Sequence, residues 1–229
     1  MKKFQKVLLS IAILTILIAC NDDDQGRQPE PKPNVNYPNY SQLEVGNYWI
    51  YERFSLDTNG VETPLNQFDS SYVEKDTLIN GKAYYKLHLP SYGPKIVPEK
   101  FYLKDSLHYL VDSRGAILFS SQEFSTALKP IEYNYYAGDT TRMDTLYSRE
   151  RRMTNKDSLV NVPAGLFSTL SSTEFIKYYG KFKPLKDRNR KTLYAKGVGI
   201  VYETLPPYAS NSNDLIQKLV RYKVGQTKK

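Results

Sequence analysis

From about residue 47 onward, apolar and polar positions alternate with a period of two. Asn47 to Phe54 sets Tyr48, Ile50 and Phe54 on one face of an extended segment and Trp49 and Tyr51 on the other. A turn follows at Asp57-Thr58-Asn59-Gly60. Ser71 to Ile79 then runs through Asn80-Gly81 into Lys82 to Leu89, with Ala83, Tyr85, Leu87 and Leu89 sharing one face. Asn-Gly between two alternating runs predicts a tight hairpin, because both turn residues must take positive φ. Glu99 to Lys104, Leu107 to Asp112 and Ala116 to Ser121 read as a meander. Further strands are expected at Ile131–Tyr136, Thr141–Thr154, Ser158–Val162, Leu166–Tyr179, Thr192–Ala195 and Ile200–Leu205. Only Ser120 to Lys129 invites a short helix. Asp214 to Val224 satisfies both periods and is read as a closing strand. The expectation is one all-β antiparallel domain of about eleven strands, an open barrel or a sandwich.

The first forty residues follow another pattern. Lys2, Lys3 and Lys6 precede an apolar run from Val7 to Ala19, broken only by Ser10 and Thr15. Thirteen residues fall short of the roughly 20 that span a bilayer as a helix and match the apolar region of a secretory signal. The run ends at Leu17-Ile18-Ala19-Cys20, which resembles the lipobox of bacterial lipoproteins. That resemblance implies cleavage before Cys20, acylation of the cysteine, and a membrane anchor contributing about 0.8 kcal/mol per buried methylene. Asn21-Asp22-Asp23-Asp24 resembles the export signal that sends Bacteroidetes lipoproteins to the outer face of the outer membrane. The alternative reading of those acids is a solvated tether on a periplasm-facing anchor. Proline-rich polar sequence to about Asn39 makes a semi-rigid spacer. The expected organisation is therefore a signal peptide over 1–19, lipidated Cys20 and linker over 20–39, the β domain over 40–225 and a polar tail over 226–229.

Composition sharpens this picture in two places. In 229 residues, 40% are hydrophobic and 24% charged, which permits a real core and excludes a disordered chain. Twenty Tyr and nine Phe against one Cys agree with a β fold and allow no internal disulfide. The formal charge of +8 is localised. Without Lys2, Lys3 and Lys6, 29 basic residues face 24 acidic ones, a balance of +5. The stretch from Lys181 to Lys191 holds six cations and Asp187, the same +5. That pattern gives no nucleic-acid signature.

Three segments carry a further resemblance. Val45-Gly46-Asn47-Tyr48-Trp49, Val162-Pro163-Ala164-Gly165-Leu166-Phe167 and Tyr194-Ala195-Lys196-Gly197-Val198-Gly199-Ile200-Val201 look like uncharacterised β-rich lipoproteins of Bacteroidetes. The resemblance implies the fold and an envelope location, and no reaction.

Catalytic signatures are missing from the sequence. His88 and His108 have no second ligand at metal-binding spacing, and no nucleophile elbow or zinc-protease motif occurs. Glu150, Glu174 and Glu203 fall in strand-like segments without a visible convergence. No catalytic residue, metal or cofactor is expected. Two features remain for binding. One is an aromatic face from Tyr48, Trp49, Tyr51, Tyr84 and Tyr85, able to stack on a glycan or anchor a protein. The other is a basic loop of Lys181, Lys183, Lys186, Arg188, Arg190 and Lys191, suited to an anionic partner. The expected function is a non-catalytic envelope lipoprotein binding a glycan or an envelope protein, or an accessory subunit. A lipid carrier with an apolar concavity and a hydrolase are the alternatives.

Overall fold

The alternating segments pair into one antiparallel sheet, and none of them stacks as a second layer. The computed structural model describes residues 36–89, 99–137, 143–207 and 210–225. The expected signal segment, Cys20, most of the expected linker and the last four residues lie outside them. Residues 37–229 form one compact unit, which holds every described strand.

The strands are β1 (Tyr48–Leu56), β2 (Glu62–Ile79), β3 (Lys82–Leu89), β4 (Glu99–Ser106), β5 (Tyr109–Asp112) and β6 (Ile117–Ser120). They continue as β7 (Ala127–Ala137), β8 (Met143–Val162), β9 (Gly165–Tyr178), β10 (Arg188–Ala195), β11 (Gly199–Leu205) and β12 (Asp214–Lys223). Their order across the sheet is β6-β5-β4-β3-β2-β1-β12-β11-β10-β9-β8-β7. All neighbours but one are joined by consecutive hairpins. The exception is β1 beside β12, where chain start meets chain end. An antiparallel meander of this length twists enough to bring its two ends together. Here they meet where Ser172 Oγ on β9 donates to the Leu118 carbonyl on β6 (2.8 Å) and Ser120 N donates to Met153 Sδ on β8 (3.4 Å). Side chains make that seam, so the barrel is nearly closed.

The twelve described strands agree with the expected all-β open barrel of about eleven. The expected strands Thr141–Thr154 and Ser158–Val162 are, from Met143 on, one strand, β8, with ladder irregularities between Met153 and Ser158. The expected short helix after Ser120 does not form. Ser120 Oγ accepts from the N–H groups of Gln122 and Glu123 (3.1 and 2.8 Å), and Glu123 Oε1 accepts from Ser125 and Thr126 (2.8 and 3.1 Å). Short polar side chains capture the backbone donors that a helix would need. Asp214–Lys223 is the closing strand, with Leu215, Gln217 and Leu219 on its inner face. At Asn80 and Gly81 φ is +49° and +73°, the geometry the hairpin pair predicts.

One end of the barrel is sewn shut. The segment before β1 crosses it, with Asn39 O accepting from Gly197 N (2.9 Å) and Ser41 Oγ donating to Asp105 (2.6 Å). Asn47 Nδ2 donates to Gln42 O, and Asn47 Oδ1 accepts from Gly225 N, each at 2.8 Å. The tip of the β8–β9 hairpin joins them, Ala164 N reaching the Leu219 carbonyl at 2.9 Å. Above this floor sits Trp49, whose Nε1–H donates to Val198 O at 2.6 Å. Core side chains Leu43, Tyr194, Val201 and Leu219 belong to the same buried cluster.

Candidate functional site

The core does not fill the barrel. A cavity of about 590 Å³ extends from Trp49 and Tyr194 at the floor to Leu89, Phe101, Leu205, Pro207 and Asn213 at the other end. That volume falls within the range of small-molecule sites, roughly 300–1,000 Å³.

Its two sides differ chemically. The wall made by β3–β6 presents Leu87, Leu89, Phe101, Leu103, Leu110 and Leu118. The opposite wall carries a belt of charge set by strand register. Arg151 on β8 pairs across the ladder with Glu174 on β9, which pairs with Arg190 on β10. Glu203 on β11 pairs with Gln217 on β12, which pairs with Arg53 on β1. Residues directly opposite in a ladder share a face, so all six point inward with their neighbours. Arg151 donates to Glu174 Oε1 (3.3 Å), and Arg149 approaches the same oxygen at 3.9 Å. Arg190 donates to Glu203 (3.0 Å), which also accepts from Thr192 (2.9 Å). Arg53 forms a two-pronged pair with Asp69 on β2, and Gln217 Nε2 donates to the same carboxylate at 3.0 Å. Signs alternate along the belt, which lowers the desolvation cost of each charge. Burial pushes the Tyr194 hydroxyl well above its ordinary range, so it remains a neutral donor beside the belt.

Glu174 is the least satisfied member. Its side chain is only 6% exposed, yet Oε2 has no hydrogen-bond partner.

The residues singled out from sequence are dispersed by the fold. Trp49 and Tyr51 face the interior, Tyr51 Oη donating to Ile200 O at 3.0 Å. Tyr84 is buried as well, and Tyr48 and Tyr85 are half-buried, so the five make no single exposed face. The basic stretch is also broken up. Lys181 lies in a 3-10 turn (Gly180–Phe182), and Lys183 and Lys186 are exposed. β10 starts at Arg188, and from there alternation sends Arg188 and Arg190 inward while Lys191 takes the other face. Arg188 pairs with Asp214 and donates to the carbonyls of Ser210 and Ser212 (3.1 and 2.9 Å), pinning the β11–β12 connection. Glu174 and Glu203, viewed from sequence as scattered acids, both reach the cavity. Glu150 pairs with Arg152 instead. A glycosidase pair needs one carboxyl as proton donor, whereas Glu174 and Glu203 both act as acceptors from Arg or Thr. Among the described residues no cluster of three His, Cys, Asp or Glu could hold a metal.

Neither histidine approaches the cavity wall. His108 Nδ1 bonds Ser120 Oγ at 2.9 Å. His88 lies on the outside, stacked on Tyr72 with ring centroids 4.6 Å apart and paired with Glu74. Lys86 Nζ donates to the same carboxylate at 2.8 Å. Hydrogen bonds from Lys86 and then His88 lower the Glu74 pKa from 4.5 to about 2. A depressed carboxylate adds stability that is complete above its unfolded pKa and lost as pH falls through the folded one. The stability gap between native protein and Glu74→Gln is therefore expected at pH 5.5 and should shrink between pH 4.5 and 2. Urea midpoints across that window check it; a constant gap would refute the ion-pair account.

No protein-family model and no functionally curated protein matches the chain. Two solved structures resemble it. One is an inferred exported protein with a YmcC-like fold from Bacteroides fragilis, at 12% identity and a TM-score of 0.44, covering 82% of this chain and 100% of that one. The other is an inferred lipoprotein from Parabacteroides distasonis, at 12% identity and a TM-score of 0.37, with the same coverage of 82% and 100%.

Proposed function

We propose that the protein is a non-catalytic, lipid-anchored component of the cell envelope whose barrel holds an amphiphilic ligand in its interior. The observation that carries this reading is the two-sided cavity, leucine and phenylalanine on β3–β6 facing a charged belt on β8–β12. A purely structural barrel gains stability by filling such a space, since each unfilled volume forfeits packing contacts. Membrane attachment rests on Lys2 to Cys20, and the outer face of the outer membrane on the acids Asp22 to Asp24.

Binding is tested with N-phenyl-1-naphthylamine, an uncharged fluorophore, on residues 37–229. Saturable enhancement is expected, weakened about tenfold or more by Leu118→Trp, which puts bulk into the cavity, a change of roughly 1.4 kcal/mol. Fluorescence rising without saturation would refute the reading. Anchoring is tested separately. Cys20→Ala in the full chain is expected to abolish fatty-acid labelling and alter electrophoretic mobility, and protease shaving of intact cells reads which face the domain occupies.

A second reading, docking of a glycan or protein on the outer wall, is favoured by Phe68 and Tyr72. Both are exposed on the outward face of β2, at 61% and 39%.

A further inference from the structure

The underside of the sewn end is apolar. There the end of β8 and the start of β9 fold across the barrel, Ala164 N donating to Leu219 O and the Phe167 ring meeting Tyr222 edge-on at 6.4 Å. Val160 pairs with Phe167 on the face packed against the core. Leu159 pairs with Ser168, and Asn161 with Leu166, on the face turned away from it. Leu159 and Leu166 are thus diagonal neighbours on the outside of the floor. Two hairpin tips reach the same end. β2 and β3 run past the Tyr48–Tyr72 pair, where β1 begins, to Asn80-Gly81, and they carry Leu78. Leu107 lies in the β4–β5 turn, between Asp105, which accepts from Ser41, and His108, whose ring centroid is 5.4 Å from that of Tyr37.

Among the described residues these four leucines are the most exposed of the large apolar side chains, at 65% to 73%. A single exposed leucine is ordinary, whereas four gathered at one end of a barrel mark a contact surface. Leu107 adds a second sign. Its φ of +56° is a left-handed conformation that Gly or Asn takes with less strain.

The tether indicates what that surface meets. Residues 21–36 separate Cys20 from Tyr37, a stretch that reaches at most about 55 Å when fully extended. The chain joins the domain at the sewn end, through Asn39 O and Gly197 N. An acylated Cys20 therefore holds that end towards the lipid, and tethering makes a weak surface contact intramolecular. Exposed charges there are mixed, Lys82, Lys196 and Lys223 against Glu44, Asp76 and Asp157, which suits apolar insertion rather than attraction to anionic lipid.

Resting on the acylated Cys20 proposed above, we infer that the sewn end of the barrel lies on the bilayer. Leu78, Leu107, Leu159 and Leu166 insert among the head groups, and the far end of the cavity is directed away from the lipid. The acylated chain in phosphatidylethanolamine–phosphatidylglycerol vesicles tests this. Acylation occupies the sulfur of the one native cysteine, so an introduced cysteine is labelled alone. A nitrobenzoxadiazole fluorophore is attached through Asn161→Cys on the underside, or through Thr58→Cys in the β1–β2 turn at the other end. Nitroxide-bearing lipid is expected to quench the first about threefold or more above the second, because an inserted apolar face sits about 5–10 Å into the head-group boundary.

Leu78→Thr, Leu107→Asn, Leu159→Thr and Leu166→Thr together are expected to equalise the two positions and leave the urea midpoint unchanged, since none of the four is buried. The comparison of positions in the native chain decides the matter even if this variant folds poorly. Equal quenching at both positions, or stronger quenching at Thr58, overturns the inference and leaves the anchor standing. If the native chain carries no fatty acid, the anchor reading falls, and flotation of the Cys20→Ser chain with the same vesicles decides the surface. Its native leucines are then expected to float about tenfold more protein than the four-leucine variant does, and equal flotation overturns the inference.

Discussion

Trp49→Ala is expected to destabilise the barrel by about 3–5 kcal/mol, the usual cost of removing a large buried aromatic. Trp49 is 4% exposed, roofs the sewn end of the barrel, and donates from Nε1 to Val198 O at 2.6 Å. The variant leaves a hole between the floor and the cavity and an unsatisfied carbonyl in the β10–β11 turn. Trp49→Phe separates the two effects. It keeps most of the volume and is expected to cost about 1–2 kcal/mol, mainly the lost hydrogen bond. The same contact can be attacked from its other side. Gly199 has φ +106°, and a Cβ there would stand 3.0 Å from Trp49 Nε1 and 3.2 Å from Cε2. Positive-φ strain and overpacking together put Gly199→Ala at about 2–4 kcal/mol. Urea or thermal denaturation of residues 37–229 reads all three. Gly199→Ala within about 0.5 kcal/mol of native would show that the ring does not sit against β11 as described.

Asp69→Ala is expected to cost about 2–3 kcal/mol, because it removes the carboxylate that accepts from both Arg53 and Gln217. The figure is set below the 3–5 kcal/mol typical of a broken, fully buried pair. Side chains of Arg53 and Asp69 retain 16% and 15% exposure, so water compensates in part. The informative comparison is the double variant Arg53→Met, Asp69→Leu. Replacing both charges with apolar side chains of similar size removes the guanidinium that has lost its carboxylate partner, and the double variant should recover at least half of the loss. A double variant as unstable as Asp69→Ala would mean that the pair acts through packing rather than charge. The test also bears on function. A double variant more stable than the native protein would show that this charge costs stability, the outcome expected if the polar interior is kept for the proposed ligand.

Much of the architecture is legible from local pattern. Asn80-Gly81 marks its hairpin, because few other residue pairs adopt φ of +49° and +73° without strain. Asp214–Lys223 reads correctly as a strand from the alternation of Val220, Tyr222 and Val224, although Leu215, Ile216, Leu219 and Val220 also fit a helical face. The segment after Ser120 misleads because its apolar spacing allows a helix, whereas Ser120 and Glu123 side chains take the donors. The basic stretch misleads for another reason. Pro184 and Asn189 look like loop punctuation, but pairing of Arg188 to Ala195 with β9 makes those residues a central strand. Trp49 and Tyr51 are recognisable as opposite in face to Tyr48, but not as the inner set.

The charged belt was out of reach from the chain alone. Arg190 and Glu203 are 13 residues apart, Arg151 and Glu174 are 23, and Asp69 and Gln217 are 148. Such distances carry no pattern, because in a sheet a partner is chosen by register and not by spacing. Period-two alternation and turn chemistry thus define strands and hairpins, and the lipobox-like start is the ground for proposing an exported, anchored chain. Barrel rather than sandwich depends on β1 meeting β12 and on Ser172 reaching β6, contacts between the remote parts of the chain. Whether an alternating face turns towards a core or towards a cavity depends on closure as well. That is why Glu174 reads as a solvated strand residue in the sequence and stands, in the folded protein, as a buried acid paired with Arg151 in the wall of the cavity.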